Sequence, residues 1–365
     1  MINEALLKNE ELAVYRLRSL YSDFGYTQYK MSKFEEYDLY VRNKDFLISD
    51  RVITFTDTNG KLLALKPDVT LSIINNLGRS IEGVHKMYYN ENVYRVSGAT
   101  GKFKEIMQTG LECIGNTGLY ETAEVLYLAI QSLALIDNNF RLEISHAALM
   151  SQLLTGNGIK ESILPEVLEA IRIKSSGLID ELLCIRKITS GQAQLISVLC
   201  RNFPDFTSFS EAVSPFITEG EIEDLFSQFS EIVTSCENDE TKGKIGVNFS
   251  LASDAGYYSG IVFKGFINGI PQSVLSGGQY DTLLQKLGSR GGAVGFAVYL
   301  DSFERFGEKV DEYDVDTVLV VKESDSPRDI LKAAEKIRAA GESVSVCTAV
   351  PSGLRYRRAV TTEEE

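Results

Sequence analysis

Along the first 25 residues the apolar positions Val14, Leu17, Tyr21 and Phe24 recur at three- and four-residue intervals and stop at Gly25. That spacing predicts an amphipathic helix ended by a glycine cap. The pattern then changes. In "VITFTDTNGKLLAL" apolar residues flank Asn59-Gly60, a dipeptide that readily adopts positive φ, so the stretch predicts a tight hairpin. A long antiparallel pair is expected around "YRVSGATGKFKEIMQTGLE" (Tyr94 to Glu112), followed by a helix over "LYETAEVLYLAIQSLALID" and a strand at "FRLEIS". From about Ala147 to Asp239, leucine and isoleucine return at helical spacing with little alternation, which predicts an all-helical insertion. Strand patterns resume at "KIGVNFSLAS", at a hairpin "YYSGIVFKGFINGIPQSVL" turning on Asn268-Gly269, and at "GGAVGFAVYL". Strands that flank a helical insert and join through hairpins predict an α+β class, with one mainly antiparallel sheet and helices packed against it. Parallel pairs would need crossovers.

After Phe306 the run "GEKVDEYDVD" is charged and polar and marks a linker. Beyond it, "TVLVV" reads as a buried strand, Ser326-Pro327 as a helix start, Gly341 as its stop and "SVSV" as a second strand. The expected organisation is a core over residues 1–306, its helical insertion at about 147–239, and a linker with a partial βαβ unit over 307–365. A unit of that size buries little by itself and should lean on a neighbour.

Composition narrows the function classes. The chain has 365 residues, 44% hydrophobic, enough for a real core. Its 37 basic and 51 acidic residues give a net charge of −14, which argues against nucleic acid as a partner, because phosphate contacts need clustered Lys and Arg. The start "MINEALLKNEELAVY" lacks the basic and apolar runs of a signal peptide, and no uninterrupted apolar run reads as a bilayer span. A cytoplasmic protein without membrane contact is expected. The five cysteines are odd in number, scattered and never in a CxxC pair, which suits reduced thiols. With His85 and His146 the only histidines, no metal site or other cofactor is expected.

"GATGKF" ends in Gly-Lys, yet a phosphate-binding P-loop needs G-x-x-x-x-G-K-[ST] between a strand and a helix. Here the spacing is short and Phe103 stands in place of the hydroxyl residue. On local grounds a hairpin tip carrying a surface lysine is the better reading of the stretch.

Four stretches, "LALKPDVTLSI", "YRVSGATGKFKEIMQTGLECIG", "YYSGIVFKGF" and "LSGGQYDTLLQKLGSRGGAVGFAVYLDSF", resemble in order and spacing the catalytic core of the class II histidyl-tRNA synthetase family over roughly residues 10 to 306. The chain is most similar to the non-aminoacylating branch, the regulatory subunits of ATP phosphoribosyltransferase, the first enzyme of histidine biosynthesis. The resemblance implies a class II synthetase-like fold. It implies that Arg95 matches the arginine of the second motif, and that Asp68, Thr70 and Gln108 would hold the amino end of a histidine while Glu112, with Tyr258 of the Tyr257-Tyr258 pair, would face its imidazole. Glu112 offers an acceptor for a ring N–H, and a tyrosine phenol can donate or accept. Gln108 and Glu112 differ by an even number, so on one strand they share a face.

Departures from the family pattern bear on chemistry. Adenylate formation needs arginines on the developing phosphate charge. Ser302 stands where the third motif's arginine belongs, with Glu304-Arg305 nearly a helical turn away, and Ser253 replaces a second catalytic arginine in "SDAGYY". Ser97 replaces a glutamate in a loop one residue shorter, and Ser32 takes the place of the first motif's proline. Simpler readings stand beside these: Asp68 capping a helix near Leu71, the tyrosine pair packing a sheet, Arg95 pairing with a carboxylate.

Taken with the resemblance, the residues imply a chain without catalysis of its own, dimeric through its N-terminal helix and strand region, that joins the short-form ATP phosphoribosyltransferase catalytic subunit in a hetero-oligomer and retains a candidate histidine pocket. A divergent histidyl-tRNA synthetase and a synthetase-like histidine or tRNA sensor for another partner are the alternatives.

Overall fold

The computed structural model describes residues 7–43, 51–78, 81–96, 100–253, 258–303 and 312–364, with the backbone alone at 253, 302 and 303. It divides into two compact units, Met1–Phe306 and Gly307–Glu365. The first opens with α1 (Asn9–Asp23), whose Val14, Leu17 and Tyr21 are buried and which Gly25 follows at φ +81°. Then come β1 (Thr27–Gln28), β2 (Phe34–Glu36), α2 (Tyr37–Arg42), β3 (Thr54–Thr56), β4 (Leu62–Leu65) and α3 (Thr70–Leu77). Strands β2, β4 and β3 form a small antiparallel sheet in that order. The turn between β3 and β4 differs from the expected two-residue form. Gly60 takes positive φ and Asn59 does not, because the Asp57 carboxylate accepts from the backbone N–H groups of Asn59 and Lys61 and organises a wider loop.

The long hairpin follows as β5 (Val84–Val96) and β6 (Phe103–Gly115), then α4 (Leu119–Ile136) and β7 (Phe140–His146). The helical insertion comprises α5 (Ala147–Gly156), α6 (Leu164–Arg172), α7 (Ser176–Cys184), α8 (Ser190–Leu199), β8 (Asn202–Phe203), α9 (Phe206–Val213) and α10 (Glu221–Ser235). The chain returns through β9 (Ile245–Asn248), β10 (Ile261–Ile267), β11 (Leu275–Gln279), α11 (Asp281–Lys286) and β12 (Gly292–Tyr299).

Among the described residues nine strands form one sheet in the order β1-β5-β6-β12-β11-β10-β7-β9-β8. Most neighbours are antiparallel, but β1–β5 and β7–β9 are parallel. The insertion is the crossover that lets β7 and β9 run the same way. One face of the sheet packs on α1 and α4, with Leu111, Phe296, Val298 and Leu142 in a core shared with Leu126, Ala129 and Leu133. Helix α4 is long and apolar enough by composition to cross a bilayer, although Glu121 and Glu124 interrupt its apolar run. Its Val125, Leu126, Leu128, Ala129, Ile130 and Leu133 are buried in that core. The opposite face is covered at one end by α3 and α11, through Leu71, Ile73, Leu283 and Leu284 against Met87 and Tyr89. Gln108 and Glu112 lie on that same face.

The second unit holds β13 (Val315–Val320), α12 (Pro327–Ala339), β14 (Val344–Cys347) and β15 (Tyr356–Thr361). Its parallel sheet has the order β14-β13-β15, with α12 packed through Ala333, Ala334 and Ile337 on Leu319. Strand β15 extends the expected βαβ unit by one strand.

Candidate functional site

Strand alternation puts Gln108 and Glu112 on the face of β6 turned away from α4. Across the strand pairs, Glu112 stands opposite Gly295 on β12, and Gly295 opposite Gly278 on β11. These two glycines form the floor beside the carboxyl. A Cβ on Gly295 would overlap Oε2 of Glu112, and one on Gly278 would lie 2.7 Å from the Tyr258 ring. Glu112 and Tyr258 therefore occupy the two ends of a row in which no other side chain fits.

Glu112 is 2% exposed. Its Oε1 accepts from the Thr70 hydroxyl at 2.6 Å, and its Oε2 accepts from the Tyr280 hydroxyl. Burial, and to a lesser degree the Asp68 charge, push its pKa up to about 8 in spite of these two hydroxyls. At neutral pH the group is largely a neutral acid. Both hydroxyls can accept as well as donate, so either takes the carboxyl proton. The Tyr258 phenol is likewise pushed above its ordinary range, first by burial and then by Tyr299, with a hydrogen bond to Ser276 acting the other way.

Asp68 and Arg95 unite two of the simpler readings. Asp68 Oδ1 accepts from the backbone N–H of Leu71 at 2.9 Å, in the first turn of α3, while its Oδ2 accepts from Arg95 at 3.2 Å. Arg95 Nε donates to the Pro67 carbonyl at 2.6 Å. The arginine is thus held against the segment that begins α3. Beside it, the fully buried Lys66 pairs with Glu91 at 2.9 Å, and burial lowers its pKa.

Gln108 differs from these groups. It is 2% exposed, yet its side-chain nitrogen has no hydrogen-bond partner among the described residues. An unpaired buried N–H costs about 1–3 kcal/mol, and a ligand acceptor would remove that cost.

The structure therefore brings Asp68, Thr70, Arg95, Gln108, Glu112 and Tyr258 to one face, whereas Tyr257 and Ser97 lie outside the described residues. Tyr280 was missed as a site residue. It lies within the quoted stretch "LSGGQYDTLL", but its partner is far away in sequence, and no local pattern signals the contact.

The histidyl-tRNA synthetase family model matches residues 2–303. A Clostridium botulinum protein named ATP phosphoribosyltransferase regulatory subunit is 28% identical over 295 residues, spanning 78% of this chain and 69% of its own. The crystal structure of an ATP phosphoribosyltransferase regulatory subunit/histidyl-tRNA synthetase from Bacillus halodurans C has a TM-score of 0.76 at 22% identity, covering 97% of this chain and 93% of that one. A chain of the ATP phosphoribosyl transferase (HisG:HisZ) complex from Thermotoga maritima has a TM-score of 0.63 at 19% identity, covering 80% of this chain and 97% of that one. These structures share the class II synthetase-like fold described above. With the family model spanning nearly all of the first unit, the chain belongs to the histidyl-tRNA synthetase family.

Proposed function

We propose that this chain is a regulatory subunit of ATP phosphoribosyltransferase, without catalytic activity of its own, that acts in the cytoplasm as a dimer bound to the short catalytic subunit and senses histidine. The observation that carries the reading is Arg95. The guanidinium that resemblance assigns to a nucleotide phosphate is held by Asp68 and the Pro67 carbonyl, and serines occupy the two other arginine positions, 253 and 302. The name of the Clostridium relative supports the same role. A chain of this kind acts by binding one state of its partner better than another.

The test is to mix the chain with a short catalytic subunit, follow assembly by size-exclusion chromatography with light scattering, and assay phosphoribosyl-ATP formation with and without histidine. A hetero-oligomer with a raised rate that histidine lowers is expected. Separate elution with an unchanged rate would overturn the proposal, and histidine-dependent pyrophosphate exchange would return the synthetase reading to first place. The orphan N–H of Gln108 calls for a ligand acceptor, which the carboxylate of a histidine offers and its amino group does not. An imidazole reaching Glu112 has to displace the hydroxyl of Thr70 or Tyr280, so weak binding is expected. Glu112→Ala should weaken it by about 1–3 kcal/mol in calorimetry.

Self-association is supported by a different feature. Phe34 and Phe55 meet edge to face, centroids 5.5 Å apart, and are 46% and 38% exposed. An exposed aromatic pair of this kind is suited to an interface. The double substitution Phe34→Asp and Phe55→Asp is expected to halve the mass seen by light scattering with little change in melting temperature. An unaltered dimer would place the contact elsewhere.

A further inference from the structure

We propose that the core carries a second ligand site, on the side of the sheet opposite Glu112, that binds a small organic cation with an apolar body in the groove between α1, α4 and α10. The cavity there measures about 460 Å³, within the range of small-molecule sites. Tyr120, Glu124 and Tyr127 line it from α4 at the spacing of one helix face, joined by Phe24 at the end of α1 and by Glu231 and Ile232 of α10. Tyr120 is 68% exposed. The Phe24 and Tyr127 rings lie 6.0 Å apart. Phe24, Tyr120 and Tyr127 thus bring three aromatic rings to one cavity, a lining whose π electrons attract a cation.

The sign of the ligand's charge follows from the helix ends. Phe24 and Cys236, the C-terminal cap residues of α1 and α10, both line the groove, and neither helix has a basic residue in its last turn. Two negative dipole ends therefore meet there, and the nearby cation, Lys86, is already paired with Glu124. The N-terminus of α4 also reaches the groove, but it is occupied: Glu121 accepts from the Gly118 N–H at 2.8 Å. Of the carboxylates lining the cavity, Glu124 is satisfied by Lys86 at 2.6 Å and by the hydroxyls of Tyr120 at 2.8 Å and Tyr26 at 3.2 Å. Glu231 has no hydrogen bond or ion pair from its carboxylate among the described residues.

Lys86 already shows what the local chemistry accepts. Its ammonium sits 5.5 Å and 5.8 Å from the ring centroids of Tyr26 and Tyr120 while it pairs with Glu124. The groove lining again sets aromatic rings and a carboxylate together, and among the described residues no cation pairs with Glu231. An anion would meet two negative helix ends and Glu231. A neutral apolar molecule would strip water from Glu231 without replacing it. The apolar body would rest on Phe24, Tyr127 and Ile232, and the charge would lie between Glu231 and Tyr120.

The site does not depend on the histidine pocket or on the catalytic partner, so its test is separate from theirs. The full chain is titrated by calorimetry with benzyltrimethylammonium, with benzyl alcohol and phenylacetate as neutral and anionic counterparts. Saturable binding of the cation with a Kd of about 1 mM or tighter is expected, with both counterparts at least about tenfold weaker. Tyr120→Ala should weaken the cation about tenfold, and Glu231→Gln about fivefold. Both side chains are exposed, so the fold should survive, which far-UV circular dichroism checks. Absence of saturable binding, equal binding of benzyl alcohol, or binding unmoved by both substitutions would overturn the proposal.

Discussion

Replacing Glu112 with glutamine will flatten the pH dependence of stability between about pH 4.5 and 8, leaving the variant more stable than the wild type above pH 8 by about 4–5 kcal/mol. The cause is burial of the carboxyl beside Asp68, which pushes its pKa from 4.5 to about 8. In the unfolded chain the group ionises near pH 4.5. Between the two values the folded state holds a proton that the unfolded state has lost, so wild-type stability falls as pH rises. Below that window both states are protonated and the contribution is fully present; above it the folded state carries an anion between the Thr70 and Tyr280 hydroxyls, with no ion pair to it among the described residues. Glutamine keeps a carbonyl acceptor and an N–H donor for the same hydroxyls without ionising. Urea denaturation at several pH values from 4.5 to 9, followed by far-UV circular dichroism, gives the comparison. Parallel profiles for variant and wild type would mean that Glu112 ionises like a solvated carboxylate.

Arg141→Ala will cost about 2–3 kcal/mol. Arg141 on β7 donates from Nε to Glu143 at 2.7 Å, to the carbonyls of Pro204 and Gly243 at 2.9 Å each, and to that of Phe203 at 3.1 Å. A Cβ on Gly246 of β9 would overlap the guanidinium, so the strand is bare where the side chain crosses it. One residue thus closes both ends of the insertion's later half onto the sheet. Losing it removes the donor of three carbonyls, two of them open to water, and leaves Glu143, whose Oε2 lacks a partner among the described residues, without its hydrogen-bonded cation. Lysine in its place should recover only part of the loss, because one ammonium does not reproduce the planar fork. Thermal and chemical unfolding, with limited proteolysis near residue 204, are the measurements. A loss below about 1 kcal/mol would show that water replaces the fork at little cost.

Periodicity recorded burial where burial is continuous. Val14, Leu17 and Tyr21 announced α1, and the even separation of Gln108 and Glu112 placed both on one face of β6 because a strand alternates strictly. Where structure depends on distant partners the signal fades. The parallel pairing of β7 with β9 was hidden, since nothing local tells a hairpin strand from one reached through a helical crossover. Strand β8 has two residues, too few to show a period. Strand β15, "YRRAVT", is largely exposed, so it lacks the apolar alternation by which strands are recognised. At the site, residue types were legible but their occupancy was not. Asp68 was open to capping or pairing, and it does both.

The seam between β6 and β12 has a consequence for biosynthesis. Residues 108–115 pair with 292–299, and the ribosome delivers the first of these partners long before the second. Until the late strand emerges, the nascent chain carries the long β5–β6 hairpin with one edge of β6 unpaired, and such an edge invites pairing with other chains. Helices that close over short sequence distances can form meanwhile. Glu112 meets Gly295 and Tyr280 only after residues 280–295 have emerged, long after β6 itself. A ribosome that stalls within the insertion therefore leaves not a weaker pocket but an open strand edge, and disposing of that intermediate falls to chaperones and proteases.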